Sequence, residues 1–217
     1  MKAIVIGASG LVGNLILKEV LNDTSFSEVR IFVRKSVGIQ SPKLKEFVNP
    51  MKDIVSLSSE IQGDVLFNAL GTTIKKAGSQ EEQQRIDRDL PKAFARIASG
   101  NGVKIMLNVS SVGASLNGGF YLKTKAEMEN GTSEFFPGNV FNFRPGFLIG
   151  DRKEFRLVEK IAFGVMKVID PVLTGSYRKY RSMPADKLAK AMVSLSKNAS
   201  GKPAVLHYPE IMQCVDL

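Results

Sequence analysis

Short apolar runs alternate with amphipathic stretches along most of the chain. Lys2–Ile6 reads KAIVI, a strand pattern, and the amphipathic run NLILKEVL follows closely. EVRIFVR (Glu28–Arg34) and KLKEFV (Lys43–Val48) predict two further strands. DVLFNAL (Asp64–Leu70) is apolar on both faces, as a central parallel strand must be. Ser79–Ser99 has helical spacing and opens with Ser79 and Glu82, an S-x-x-E capping box. Pro91 lies inside that helix and is expected to kink or split it. KIMLNVSS (Lys104–Ser111) and NVFNFRP (Asn139–Pro145) predict a fifth and a sixth strand. MPADKLAKAMVSLSKN then predicts a late helix, and PAVLHY a final strand. Repeated strand–helix alternation predicts an α/β fold, a Rossmann-like doubly wound parallel sheet, in a single domain spanning 1–217. Segment 147–182 lacks this rhythm and carries Gly, Pro and basic residues. It is expected to form a small lobe covering the crevice beyond the strand ends, where such sheets bind ligands.

The chain has 217 residues, enough for a full sheet with helices on both faces. Its single cysteine, Cys214, excludes an intrachain disulfide and suits a reducing compartment, so a cytoplasmic location is expected. Met1-Lys2 runs straight into the first strand, and no signal peptide is expected. Its single histidine, His207, argues against a His-based metal site or a Ser-His-Asp triad; no metal is expected. The formal net charge of +9 favours anionic ligands, phosphates above all. Without aromatics interleaved among the basic residues, nucleic acid is not an expected partner. No apolar run reaches membrane-spanning length. The stretch IAFGVMKVI, interrupted by Lys167, reads as a buried helix in preference to a membrane-surface segment. The surrounding apolar and basic stretch 155–175 is a candidate docking surface for a protein partner or a second copy.

Directly after the first strand comes GASGLVG, with Gly7, Gly10 and Gly13 spaced G-x-x-G-x-x-G before a helix. Gly7 permits a sharp turn, Gly10 lets backbone N–H groups approach a pyrophosphate, and Gly13 lets helix and strand pack closely. The helix N-terminus adds unpaired donors and a positive dipole end. The alternative is an ordinary glycine-rich turn. The second strand ends in Arg34-Lys35, about 20 residues past the last glycine, where an acidic residue would hold the ribose hydroxyls of NAD. Two cations there favour a 2′-phosphate, hence NADP(H) over NAD(H). The alternative is a solvated basic strand end.

Tyr121 and Lys125 form Y-x-x-x-K, one helical turn apart on one face. A free tyrosine has a pKa of about 10, and a neighbouring ammonium lowers it toward the range of a proton donor at neutral pH. Such a pair passes a proton to a carbonyl oxygen while hydride arrives at carbon. Ser110-Ser111 end the fifth strand just before it, and a serine hydroxyl there holds the carbonyl in place. Ser111 is favoured, since alternation sends the two side chains to opposite sides. Leu70, Gly71 and Thr72, after Asn68-Ala69 at the end of the fourth strand, leave space for the cofactor ribose and nicotinamide. Asp87 in RIDRD is placed to support the lysine, with a surface charge paired to Arg88 or Arg85 as the favoured alternative. Pro145 in Arg144-Pro145-Gly146 offers backbone to the nicotinamide amide.

Together these residues resemble the short-chain dehydrogenase/reductase superfamily. The blocks LGTTIKKAGS, RIDRD, YLKTKAEME, NFRPGFLIGDR and SMPADKLAKAM resemble its atypical branch, the Tat-interacting oxidoreductase family with its bacterial relatives. The resemblance implies an NADP(H)-binding Rossmann fold and a Ser-Tyr-Lys centre at Ser111, Tyr121 and Lys125. It also implies phosphate and ribose contacts at Gly7, Ser9, Gly10, Leu11, Val12, Gly13 and Arg34. Two positions depart from the superfamily pattern. Asp87 stands near where an Asn is usual, and the connection from Ser111 to Tyr121 is short and holds Asn117-Gly118-Gly119. The function expected is NADPH-dependent reduction of a small carbonyl compound. The alternative is an NADP(H)-sensing regulatory protein with little catalysis. Nucleotide-sugar epimerases are a third class, but they carry a larger C-terminal substrate domain.

Overall fold

The computed structural model describes residues 1–136, 139–150, 170–198 and 204–215. Among these residues, seven strands form one wholly parallel sheet in the order β3-β2-β1-β4-β5-β6-β9. They are β1 (Lys2–Ile6), β2 (Glu28–Val33), β3 (Leu44–Val48), β4 (Val65–Asn68), β5 (Ile105–Val109), β6 (Val140–Phe143) and β9 (Ala204–Leu206). The order reverses direction at β1, so the gap between β1 and β4 is the topological switch point where this architecture binds ligands. The first strand has the predicted bounds. β2, β4, β5, β6 and β9 end one to two residues inside theirs, and β3 begins one residue inside and ends at Val48 as expected.

Period-two alternation divides the strand side chains between two cores. Ala3, Val5, Phe67, Leu107 and Phe143 face the helices α1 (Leu11–Asn22) and α6 (Ala185–Asn198). Ile4, Ile6, Leu66 and Met106 face α4 (Leu90–Gly100), whose Phe94 stacks edge-on against Phe32. Each such fully buried Val, Leu, Ile, Phe or Met side chain contributes about 1.5–3 kcal/mol, and continuous apolar strands are what a doubly covered sheet requires.

The predicted helix 79–99 is three pieces. α2 (Ile74–Ala77) precedes it, and α3 (Gln80–Gln84) begins at Ser79, whose hydroxyl accepts the Glu82 N–H at 3.1 Å as predicted. A π-helical turn, Arg85–Asp89, then leads into α4, with Pro91 in its first turn. The regular helix is thus split as expected, by a π-helical turn that ends just before Leu90-Pro91. Pro lacks the N–H that would bond the carbonyl four residues back, and the wider turn is a way to absorb that loss. The helix α5 (Phe120–Ser133) follows β5, and a short helix α7 (Tyr208–Cys214) ends the described chain, with His207 as its N-cap in place of a strand continuation.

Part of the expected lobe is described. Strands β7 (Leu148–Ile149) and β8 (Met183–Pro184) pair with each other in a separate two-stranded sheet. The Asp170 carboxylate accepts from the Ser182 N–H at 2.9 Å and from its hydroxyl. The stretch IAFGVMKVI and most of the proposed docking surface lie outside the described residues. No helix among the described residues is long and apolar enough to cross a membrane.

Candidate active site

The glycine turn is built as its spacing predicts. Gly7 has φ of 81°, and a Cβ there would stand 2.4 Å from the Ala69 carbonyl oxygen, at the end of β4. A Cβ on Gly13 would stand 2.1 Å from the Gly7 carbonyl oxygen, so α1 seats on the turn only with glycine there. Gly10 caps α1 without any side-chain bond. The first-turn N–H groups, including those of Leu11 and Val12, have no acceptor within the helix, an arrangement suited to an anion. A cleft of about 280 Å³ opens over this turn, and Gly7, Ser9, Gly10, Arg34, Leu70, Gly71 and Thr72 all line it. Lys35 is exposed just beyond Arg34. These features fit a dinucleotide, with the pyrophosphate on α1 and the adenosine end toward β2.

The same cleft contains residues that sequence reasoning missed. Met51 has a left-handed φ of 61° and is buried on its wall. Arg85 donates to the Met51 carbonyl at 2.9 Å and to both Glu82 oxygens at 2.8 and 2.7 Å. Arg34 and Lys52 act on the Glu82 carboxylate as well, and the paired Arg85 holds it below its usual range. No local pattern in the sequence marks this clamp.

Across the switch point, α5 presents Tyr121 and Lys125. Tyr121 is 44% exposed, whereas Lys125 is 4% exposed, its Nζ lying 6.0 Å from the tyrosine ring centroid. That Nζ reaches the Leu70 and Val109 carbonyls at 3.5 and 3.4 Å. A Cβ on Gly71 would lie 3.9 Å from it. The short connection from Ser111 is folded tightly: Ala114 N–H donates to the Ser111 carbonyl at 3.1 Å, and Ser115 N–H to the Leu122 carbonyl at 3.3 Å. Ser111 is half-buried, and its hydroxyl donates to the Val112 carbonyl at 3.3 Å. Ser110 is buried, and its hydroxyl has no partner among the described residues. The Pro145 carbonyl accepts the Val112 N–H at 2.9 Å, which ties the β6 end to the serine loop.

Asp87 corrects the expectation of a surface charge. It is 1% exposed, and neither arginine pairs with it: Arg88 is bound to Asp89 and Glu127, Arg85 to Glu82. Its Oδ1 accepts the Thr72 N–H at 2.8 Å. Burial pushes its carboxyl above the usual range, while the Lys125 charge, the Thr72 N–H and the Gln83 amide act in the opposite direction.

Two polar clusters fix α5 to the sheet. In-register Asn68, Asn108 and Asn142 form a buried ladder across β4, β5 and β6, at 2.9 Å per step. Asn108 also donates to Thr132 of α5 at 3.0 Å, and Asn68 to the Met128 sulfur at 3.5 Å. Glu129 receives Arg144 through two bonds of 2.9 and 2.5 Å. The recurrence of Asn near the end of three successive strands was the available signal for the ladder.

The chain matches no protein-family model. It is 36% identical over 154 residues to the mitochondrial protein FMP52 of Eremothecium gossypii, covering 70% of this chain and 69% of that one. It is 32% identical to HTATIP2 of Rattus norvegicus over 217 residues, covering 96% and 86%. Among solved structures, the oxidoreductase ylbE from Lactococcus lactis superimposes with a TM-score of 0.68 at 16% identity, covering 100% of this chain and 95% of that one. MoeE5 in complex with UDP-glucuronic acid and NAD gives 0.70 at 16% identity, covering 95% and 75%. At those identities the likeness shows the fold. The expected cytoplasmic location is overturned, because the FMP52 relatives are named mitochondrial proteins. A lone cysteine speaks to redox conditions and does not distinguish compartments.

Proposed function

The chain belongs to the family of HTATIP2 and the FMP52 proteins, an atypical branch of the short-chain dehydrogenase/reductase superfamily, and we propose that it is an NADPH-dependent reductase of small carbonyl compounds. The observation that carries this reading is that Lys125, beside Tyr121, reaches the carbonyl of Leu70, a residue that lines the cleft over the glycine turn. The names of the structural neighbours support a nicotinamide dinucleotide, several having been solved with NAD. The preference for the phosphorylated form rests on Arg34, with Lys35 beside it.

In this reading the α1 N-terminus and Gly10 hold the pyrophosphate, and Arg34 holds the 2′-phosphate. Leu70, Gly71 and Thr72 accommodate the ribose and nicotinamide beside Lys125, and Pro145 backs them. The bound cofactor supplies the hydride. Tyr121 donates a proton to the carbonyl oxygen, and its exposure places the phenol where a substrate can reach it. Lys125 lies buried behind it, its ammonium 6.0 Å from the tyrosine ring centroid. Ser111 positions the carbonyl.

The test is Tyr121→Phe, with NADPH oxidation followed against a panel of aldehydes, ketones and quinones. Wild type is expected to turn over at least one class. The variant should bind NADPH with near-wild-type affinity and lose turnover by at least a hundredfold, the order of a general-acid contribution. Undiminished turnover in the variant would sink the mechanism. Tight NADPH binding with no turnover by wild type on any class would favour the sensing role instead.

A further inference from the structure

Asp87 is a buried carboxylate whose two oxygens differ. Oδ1 is anchored by the Thr72 N–H at 2.8 Å, while Oδ2 has no hydrogen-bond partner among the described residues. A buried carboxylate in that state is costly unless a cation faces it. Lys125 is the charge that acts on it most strongly against burial. Lys125 is itself 4% exposed, and its two carbonyl contacts, at 3.4 and 3.5 Å, are long for an ammonium. Lys125 binds Leu70 and Asp87 binds Thr72, so the two hold one short loop, and α5 packs on the π-helical turn that carries Asp87.

The neighbouring charges are otherwise engaged. Arg85 is held by Glu82, Arg88 by Asp89 and Glu127, Lys92 by Glu134, and Arg144 by Glu129. Tyr121 is the remaining titratable group of α5 on this side, and Gln83 contributes a neutral amide.

We propose that Asp87 is the counter-ion of Lys125 and thereby biases Tyr121 to remain a protonated donor, setting the site for carbonyl reduction over alcohol oxidation. This deepens the reductase reading and rests on its pairing of Tyr121 with Lys125. The physical reason is a sum of charges. A lone ammonium stabilises phenolate, the form that takes a proton from an alcohol. A carboxylate beside the ammonium cancels part of that pull, so the phenol keeps the proton that reduction consumes. A neutral Asn at this position leaves the ammonium's pull intact. Asp87 acts through Lys125, as a positioning residue, and touches neither substrate nor cofactor in this role.

The test uses tyrosinate absorbance, which needs neither cofactor nor substrate and so stands apart from the reductase reading. The chain has 4 tyrosines and no tryptophan, so its near-ultraviolet titration is uncluttered. Subtracting the curve of Tyr121→Phe isolates Tyr121; the same subtraction is made in an Asp87→Asn background. Asn retains the acceptor for the Thr72 N–H and removes the carboxylate. The Tyr121 midpoint is expected about one pH unit lower in Asp87→Asn than in wild type. An unchanged or higher midpoint overturns the proposal. If Asp87→Asn does not fold, Lys125→Gln provides the second arm, with the Asp87 carboxyl followed by carbon NMR. Its titration is expected at higher pH than in wild type, and an unmoved titration overturns the pairing.

Discussion

In the proposed function, Arg34 is the residue that distinguishes two cofactors differing by one phosphate. It lies at the end of β2, exposed and on the rim of the cleft, with the Glu82 carboxylate within its field. A guanidinium that binds a phosphate through two parallel bonds contributes about 1.4 kcal/mol or more, a tenfold change in affinity. Arg34→Ala is therefore expected to weaken NADPH binding about tenfold and to leave NADH binding unchanged, measured by calorimetric titration. Equal binding of the two cofactors by wild type would refute the assignment. Residue identities were legible at this scale, and environments were not. Asp87 stood out in the sequence as a departure, yet the charges flanking it in RIDRD suggested a solvated face. It is the buried residue of a π-helical turn, and a periodicity of 3.6 does not anticipate such a turn. The choice between Ser110 and Ser111 likewise depended on the loop after β5, where strand alternation no longer applies.

At the scale of elements, strands were easier to read than helices. A doubly covered parallel strand is apolar at nearly every position, and its short length between turn residues sets it apart from a buried helix. The helix α5 gave no such signal, because its buried positions include Thr124, Lys125, Glu129 and Thr132. Thr132 and Glu129 find partners in the asparagine ladder and Arg144, Lys125 reaches the Leu70 and Val109 carbonyls, and Thr124 bonds the Phe120 carbonyl of its own helix. Asn108→Ala removes the centre of that ladder and leaves the Asn142 carbonyl oxygen and the Thr132 hydroxyl short of a donor. A loss of about 2–4 kcal/mol is expected, since buried unpaired polar groups keep their full desolvation cost. Urea denaturation should show a lower midpoint with an unchanged slope. An unmoved midpoint would mean that the ladder does not hold α5.

For the whole molecule, the first and last long helices are joined by one ion pair. Lys197 of α6 meets Asp23, the C-cap of α1, at 2.8 Å across 174 residues of chain. The Lys197 ammonium beside it holds the Asp23 carboxyl at about 2, against an ordinary 3.8. A depressed carboxyl stabilises the fold above its unfolded value and loses that contribution as pH falls through its folded value. Asp23→Asn should therefore be less stable than wild type at pH 7, by about 1 kcal/mol after solvent screening, and the difference should vanish as the pH approaches about 2. Thermal unfolding across that window checks it, and a difference constant with pH would refute it. Sequence alone determined the fold class, the cradle at Gly7, Gly10 and Gly13, and the Tyr121–Lys125 pair, because each depends on local spacing within one or two elements. Only the tertiary structure decided the strand order, the burial of Asp87, the clamp of Arg85 on Met51 and the ladder beneath α5. Those rest on contacts between residues far apart in the chain, where burial fixes which polar groups must find partners and local pattern carries no record of them.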